Sequence, residues 1–285
     1  MQDAWTVEKL LEWTKQYLKK YNVRNPRISA ERFLSEILNT KVMGVYLNYD
    51  KPLTEEELTK YKKYIKRRRE HEPVQYILNK SYFMGLEFYI EKGCFIPRDT
   101  TEKLINIITD EIEEKFENKK VKVLEIGGGS GAVAISLVEF SENIEIDVLE
   151  KENIPQKIIK KNIEKFGMNN QINLIEKDYF DCSNLDYQKY DIVVSNPPYI
   201  GTEEKNDLDP EVLDYEPHES LFGGENGLNF YKKFVDEISK FKNDSLIYLE
   251  FGYNQKKDME KLFSEFELKF YKDLDNIDRF VRIKK

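Results

Sequence analysis

Asn196-Pro197-Pro198-Tyr199 closes an apolar run, Tyr190 to Val194, whose isoleucine and valines read as a buried strand. Two consecutive prolines fix φ twice and remove two backbone donors, so a strand ladder cannot continue past this corner. The carbonyls of Asn196 and Pro197 then stay available to a ligand. With the side-chain oxygen of Asn196 and the flat ring of Tyr199, the corner suits a planar NH2 group: two hydrogens held by Asn196 and the Pro197 carbonyl, a neighbouring plane stacked on the aromatic face. Held so, the nitrogen lone pair is aimed at an electrophile. Taken alone, the motif reads more simply as a strand-ending Asn-Pro turn. What lies upstream reverses that preference.

Glu125-Ile126-Gly127-Gly128-Gly129-Ser130-Gly131-Ala132 is a glycine-rich turn between an apolar strand and a helix. Glycine permits positive φ and close approach of a ligand to the backbone, with a helix N-terminus behind it. The next strand ends Val148-Leu149-Glu150, which puts a carboxylate 19 residues past Gly131, where it can accept from both hydroxyls of a ribose. Asp178-Tyr179-Phe180 follows the third strand; a carboxylate there could meet an adenine amino group and an aromatic could pack on its ring, or the three could be a polar turn with core aromatics. These features leave a dinucleotide enzyme, an S-adenosylmethionine enzyme or a ligand-free tight turn. The fourth-strand motif separates them, because methyl transfer to a planar nitrogen needs an amide grip and hydride transfer does not.

The elements that position these residues follow from periodicity. Thr6 is a plausible cap for a helix carrying Val7, Leu10, Leu11, Tyr17, Leu18 and Tyr21, broken at Asn25-Pro26; a second carries Phe33, Leu34, Ile37 and Leu38. Thr54 and Glu57 have capping-box spacing ahead of a third, which ends in the basic run Lys66 to Arg69. That run complements a helix dipole more simply than it binds phosphate. The sum is a bundle of three to five helices over 1–72. Ser81 to Met84 and Glu87 to Ile90 predict a β-hairpin linker over 73–96. Asp99 and Glu102 then have N-cap and N3 spacing for a helix through Leu104, Ile105 and Ile108. From Val121 onward strand and helix alternate, which predicts an α/β domain over 97–285 with a parallel sheet and helices on both faces.

Composition bounds the function. With 34% charged residues and no apolar run of membrane-spanning length, the chain reads as a cytoplasmic protein, and its first residues carry no secretory pattern. Cys94 and Cys182 are far apart and the histidines are His71 and His218, so neither a disulfide framework nor a metal centre is expected. Residues 1–85 hold 17 Lys and Arg against 11 Asp and Glu; the other 200 hold 28 against 42. A catalytic body of balance −14 argues against direct nucleic-acid binding there, whereas the basic part could steer to an acidic protein or a nucleic acid, or be a solvated lysine-rich helical face.

The glycine turn, the acidic residue after the second strand and Asn-Pro-Pro-Tyr after the fourth resemble the amino-methyltransferases. Glu72-Pro73-Val74-Gln75-Tyr76-Ile77, Ile96-Pro97-Arg98, Tyr215-Glu216-Pro217, Leu221 to Leu228 and Ile277-Asp278-Arg279 narrow this to a resemblance to the HemK/PrmC family of peptide chain release factor glutamine N5-methyltransferases. It covers about residues 70–285 by motif. The resemblance implies a class I S-adenosylmethionine-dependent methyltransferase with a Rossmann-like, mostly parallel seven-stranded sheet, preceded by a helical substrate-recognition domain. It also implies methylation of the glutamine of the Gly-Gly-Gln tip in class I release factors, with S-adenosylhomocysteine as the other product; the chain is separately expected to be a monomer. Cofactor contacts carried over fall on Gly127, Gly128, Gly129, Ser130, Gly131, Glu150, Asp178, Tyr179 and Asn196. The substrate grip falls on Asn196, Pro197, Pro198 and Tyr199, with Asn196, Pro197 and Tyr199 as the catalytic set. The chain departs from the family at Pro97-Arg98-Asp99-Thr100-Thr101-Glu102, where Pro-Arg-Pro-Glu-Thr-Glu is usual, and at His218, where Arg often follows the proline. Two other readings stand beside it: an adenine-N6 or ribosomal-protein amino-methyltransferase, and a cofactor-binding interaction module without catalysis.

Overall fold

A computed structural model describes residues 4–117, 119–182 and 184–284; Met1 to Asp3, part of the start that carries no secretory pattern, lie outside them. The chain divides into two units, Met1–Asn79 with Asp209–Tyr215, and Lys80–Leu208 with Glu216–Lys285.

The first unit is helical: α1 (Val7–Lys20), α2 (Pro26–Ile37), α3 (Val42–Leu47), α4 (Glu55–Arg69) and α5 (Val74–Leu78). Thr6 caps α1 through Lys9 N, and Thr54 with Glu57 forms the reciprocal capping box of α4. Each such cap is worth about 1 kcal/mol. Val7, Leu10, Leu11 and Leu18 meet Phe33, Leu34, Tyr61 and Ile65 in one apolar core, so helical spacing in the sequence translates directly into a buried face. The basic run is structural in part. Arg68 is 3% exposed, donating to Ser29 Oγ and to the carbonyls of Arg24 and Glu72 and pairing with Glu211 at 2.6 Å. Arg67 is held by Glu72.

The second unit opens with the hairpin β1 (Lys80–Phe83) and β2 (Leu86–Tyr89), shorter than the expected 73–96 linker because Val74–Leu78 is already helix. Asn162 exchanges hydrogen bonds with both backbone groups of Tyr89, tying the hairpin to this unit. Then come α6 (Asp99–Lys115), β3 (Val121–Ile126), α7 (Ala132–Phe140), β4 (Ile144–Leu149), α8 (Asn153–Phe166), β5 (Ile172–Ile175) and β6 (Ile192–Ser195). After the one-turn α9 (Pro210–Leu213), in the segment that belongs to the helical unit, follow α10 (Asn229–Glu237), β7 (Leu246–Glu250), α11 (Lys256–Leu262), β8 (Glu267–Lys272) and β9 (Asp278–Lys284).

The seven-stranded sheet has the order β5-β4-β3-β6-β7-β9-β8. Its first five strands in this order are mutually parallel, and β9 is antiparallel to both β7 and β8. Periodicity alone predicts a parallel sheet; the antiparallel edge arises because Asp273 to Ile277 is too short to carry the crossover that a parallel pair requires. Two apolar clusters form the core, one built around Val123, Ile135, Ile146 and Leu104, the other around Leu124, Leu149, Phe234 and Phe263. Alternate residues of β3 thus feed different clusters, as the period of two requires.

One local expectation is corrected. Asp99 is the first helical residue of α6, not its cap; Arg98 occupies the cap position with no side-chain capping bond. Glu102 does not close a capping box either, but accepts from Met84 N in the hairpin turn at 2.5 Å.

Candidate active site

Strand order, not strand direction, reverses at β3, whose neighbours β4 and β6 lie on opposite sides. In an open α/β sheet the crevice at such a switch point, beyond the carboxyl ends of the strands, receives the ligand. Ile126 is in register with Leu149 on one side and Ser195 on the other. Gly127, Glu150 and Asn196 are therefore each the first residue past three aligned strand ends. Ser195 Oγ donates to the Ile126 carbonyl at 2.7 Å and locks the β3 and β6 ends together.

The glycine turn is shaped for an occupant. Gly127, Gly129 and Gly131 have φ of 81, 56 and 80°, a region side chains rarely adopt. A Cβ on Gly127 or Gly129 would meet nothing within 4 Å, so both face open space. A Cβ on Gly128 would instead lie 2.3 Å from Val148 and 2.8 Å from Ile159, so that glycine lets the turn pack on the core. Asn162 Nδ2 donates to the Ser130 carbonyl, and Glu125 accepts from Ala134 N inside α7, pinning the helix start beneath the turn. Burial pushes the Glu125 carboxyl well up.

Glu150 is 7% exposed and accepts from Gly129 N and Glu152 N, each at 2.9 Å. Each oxygen keeps a further lone pair for a hydroxyl. Burial raises its pKa, opposed by those backbone donors. Asp178 caps the short turn after β5 through Phe180 N, with Oδ2 4.0 Å from Lys151 Nζ. Tyr179 belongs to the second apolar cluster and is 4% exposed, with a hydroxyl that has no partner among the described residues; Phe180 is the exposed aromatic of the pair. An open cradle of positive-φ glycines with a carboxylate at the next strand end fits an adenosyl amino-acid cofactor.

The Asn196 to Tyr199 corner is braced from behind. Ile200 pairs with Phe222 in an isolated parallel bridge, through Ile200 N to the Leu221 carbonyl and Gly223 N to the Ile200 carbonyl. Gln255 Nε2 donates to the carbonyls of Tyr199 and Asn226, both at 2.8 Å, and its Oε1 accepts from Gly252 N. Gly223 and Gly227 pack so tightly that a Cβ on either would fall within 2.4 Å of the Pro198 or Tyr199 carbonyl oxygen. Among the described residues no hydrogen bond reaches the Asn196 or Pro197 carbonyl or Asn196 Oδ1. Asn196 Nδ2 is held by Thr101 Oγ1 at 3.1 Å, and Tyr199 Oη by Glu250 at 3.1 Å.

Sequence reasoning passed over several of these supports. Thr101 and Glu250 hold the grip residues, and Arg98 Nη2 pairs with buried Glu216 at 2.5 Å while Glu216 also accepts from Ile96 N. That pairing gives Ile96, Arg98 and Glu216, drawn from two of the motif stretches, a physical role: they bind each other. Glu250 had a readable signal, a carboxylate ending the apolar run Leu246 to Leu249. Thr101 had none apart from its motif.

Residues 9–78 match the PrmC N-terminal domain family, and residues 97–213 the methyltransferase small domain family. The release factor glutamine methyltransferase of Geobacter sulfurreducens is 35% identical over 263 residues, covering 92% of this chain and 89% of that protein. That of Clostridium botulinum is 34% identical over 272 residues, covering 94% and 95%. Among solved structures, the human METTL16 catalytic domain in complex with the MAT2A 3'UTR hairpin 1 has a TM-score of 0.57 at 10% identity, covering 95% of this chain and 91% of that one. That is a likeness of fold alone. Identity above 30% across about nine-tenths of both proteins decides the matter: the chain belongs to the release factor glutamine methyltransferase family.

Proposed function

We propose that this protein transfers a methyl group from S-adenosylmethionine to the side-chain amide nitrogen of the glutamine in the Gly-Gly-Gln motif of class I peptide chain release factors. One observation carries the site assignment: Asn196, its NH2 engaged by Thr101, stands one residue past a strand end in register with the glycine turn. The cofactor, when bound, supplies an electrophilic methyl on a sulfonium. Gly127 to Gly131, with Ser130 in the turn, take its amino-acid end against open backbone; Glu150 accepts from its ribose hydroxyls. Asp178 and Tyr179, past the third strand end, border its adenine.

Asn196 Oδ1 and the Pro197 carbonyl accept the two amide hydrogens of the target glutamine, and Pro198 and Tyr199 wall the opposite side. An amide nitrogen is a weak nucleophile, so fixed alignment and exclusion of water supply much of the rate. The two acceptors bind more strongly as the nitrogen gains positive charge, which favours the transition state over the ground state. Proton loss follows transfer and needs no dedicated base. In this reading the helical unit recognises the release factor, and the protein works as a cytoplasmic monomer on a protein rather than a nucleic acid. The acidic balance of residues 86–285 supports the last point. Among the described residues no helix is long and apolar enough to cross a membrane.

The test is Asn196→Ala. Cofactor affinity by calorimetry falls no more than a few-fold, because the glycine turn and Glu150 are untouched, while methyl transfer falls by about 10²-fold or more, the scale of one oriented contact to developing charge. Near-normal turnover would remove the grip from the account.

A further inference from the structure

Glu250 is fully buried at the carboxyl end of β7, in a strand otherwise apolar but for the Tyr248 hydroxyl. Its carboxylate oxygens have separate donors: Oε2 accepts from the Thr101 hydroxyl at 2.8 Å and Oε1 from the Tyr199 hydroxyl at 3.1 Å. Thr101 Oγ1 also lies 3.1 Å from Asn196 Nδ2. A hydroxyl has a single proton, and an ionised carboxylate only accepts. The Thr101 proton is therefore committed to Glu250, and Thr101 meets Asn196 with a lone pair. That orients the amide, NH2 towards Thr101 and Oδ1 away from it. Were the amide turned over, Asn196 Oδ1 and Glu250 Oε2 would compete for one proton and a buried acceptor would go without a donor.

We propose that Glu250, acting through Thr101, is a positioning residue that sets the donor and acceptor sense of Asn196 and keeps its side-chain oxygen presented to the target amide. The inference rests on the Asn196 grip proposed above. It explains why a carboxylate is buried here although no substrate contact requires one.

The same chain responds to protons. Burial pushes the Glu250 carboxyl up to about 7, against the hydrogen bonds from Thr101 and Tyr199 and the charges of Arg279 and Arg98. Those groups lie on α6 and the stretch before it, on the corner after β6 and on β9; from α10, Tyr231 donates to the Glu250 backbone carbonyl. A protonated Glu250 donates to Thr101, whose own proton then turns to Asn196 and favours the inverted amide. Presentation of Oδ1 is lost as pH falls through about 7.

The experiment compares Thr101→Val, Thr101→Ser and Glu250→Gln with the parent in the full chain, using S-adenosylmethionine and an intact release factor. Thr101→Val keeps shape and loses the hydroxyl, so kcat/KM falls by roughly 10- to 100-fold while calorimetric cofactor affinity holds. Thr101→Ser restores kcat/KM to within a few-fold of the parent. The parent shows an acidic limb in kcat/KM near neutral pH that Glu250→Gln lacks. Parental kcat/KM in Thr101→Val, or an unchanged acidic limb in Glu250→Gln, overturns the proposal; should Thr101→Val not fold, the Glu250→Gln profile decides. Asn196→Ala separates the two ideas. If it turns over normally the grip itself fails; if it is inactive while Thr101→Val is active, only the positioning role fails.

Discussion

Replacing Gly223 with alanine sets one methyl group against the back of the Asn196 to Tyr199 corner. Its Cβ would lie 2.4 Å from the Pro198 carbonyl oxygen and 2.6 Å from that of Gly227. Gly223 does not have positive φ, so alanine suits the backbone and the whole effect is steric. Both obstacles are backbone atoms, and real Cβ contacts stop at 3.0 Å, so moving the Pro198 oxygen from 2.4 to 3.0 Å displaces it by about 0.6 Å. Two prolines make the corner stiff, and the shift passes to Pro197 and Asn196 rather than being absorbed. A misplacement of about 1 Å can cost ~10²-fold in rate, so 0.6 Å predicts a loss of roughly 10-fold or more in kcat. Overpacking also costs stability, about 1–3 kcal/mol, which lowers Tm by several degrees in a unit of this size. The assay is methyl transfer at saturating release factor and cofactor, with calorimetry as control because the Gly127 to Gly131 turn is untouched. Turnover within about 2-fold of the parent refutes the argument that this loop holds the corner in place.

Gly129→Val places a branched side chain at φ of 56° in the open cradle; cofactor affinity drops by at least about 10-fold by calorimetry while the protein stays folded, and unchanged affinity counts against the cradle. Glu250 holds its proton to about pH 7 when folded against 4.5 ordinarily, so the folded state binds the extra proton between these values. The stability it contributes is therefore present at low pH and lost as pH rises through about 7, a difference on the order of 3 kcal/mol. Denaturant midpoints at pH 5 and 8 should show this slope in the parent and less of it in Glu250→Gln; equal slopes contradict the assignment. Arg282, 8% exposed, donates to Glu111 at 2.9 and 3.2 Å, so Glu111→Ala strands a buried charge and costs about 3 kcal/mol in urea unfolding, at the low end because Glu267 remains; a loss below about 1 kcal/mol contradicts this.

The sequence is most readable where one residue type has one physical use. Thr6, Thr54 with Glu57, and the apolar strand before Gly127 are local signals, and the structure repeats them. Glu250 was visible as a charge ending an apolar run, but its role was not, because its partners are 149 and 51 residues away. The long stretch from Ile200 to Leu228 carries no period at all. Its two ends are held together by close backbone packing at Gly223 and Gly227 and by Gln255, none of which leaves a spacing pattern. The antiparallel edge was equally invisible to periodicity, since the burial patterns of β8 and β9 do not mark the direction in which the two strands pair.

The most direct measurement incubates the purified protein with S-adenosylmethionine and its host's class I release factors, then locates the new methyl group by tandem mass spectrometry. The account predicts one methyl on the side-chain nitrogen of the Gly-Gly-Gln glutamine, absent when Asn196→Ala replaces the parent. A methyl found on another residue, on adenine or on a ribosomal protein, with that glutamine unmodified, would contradict it.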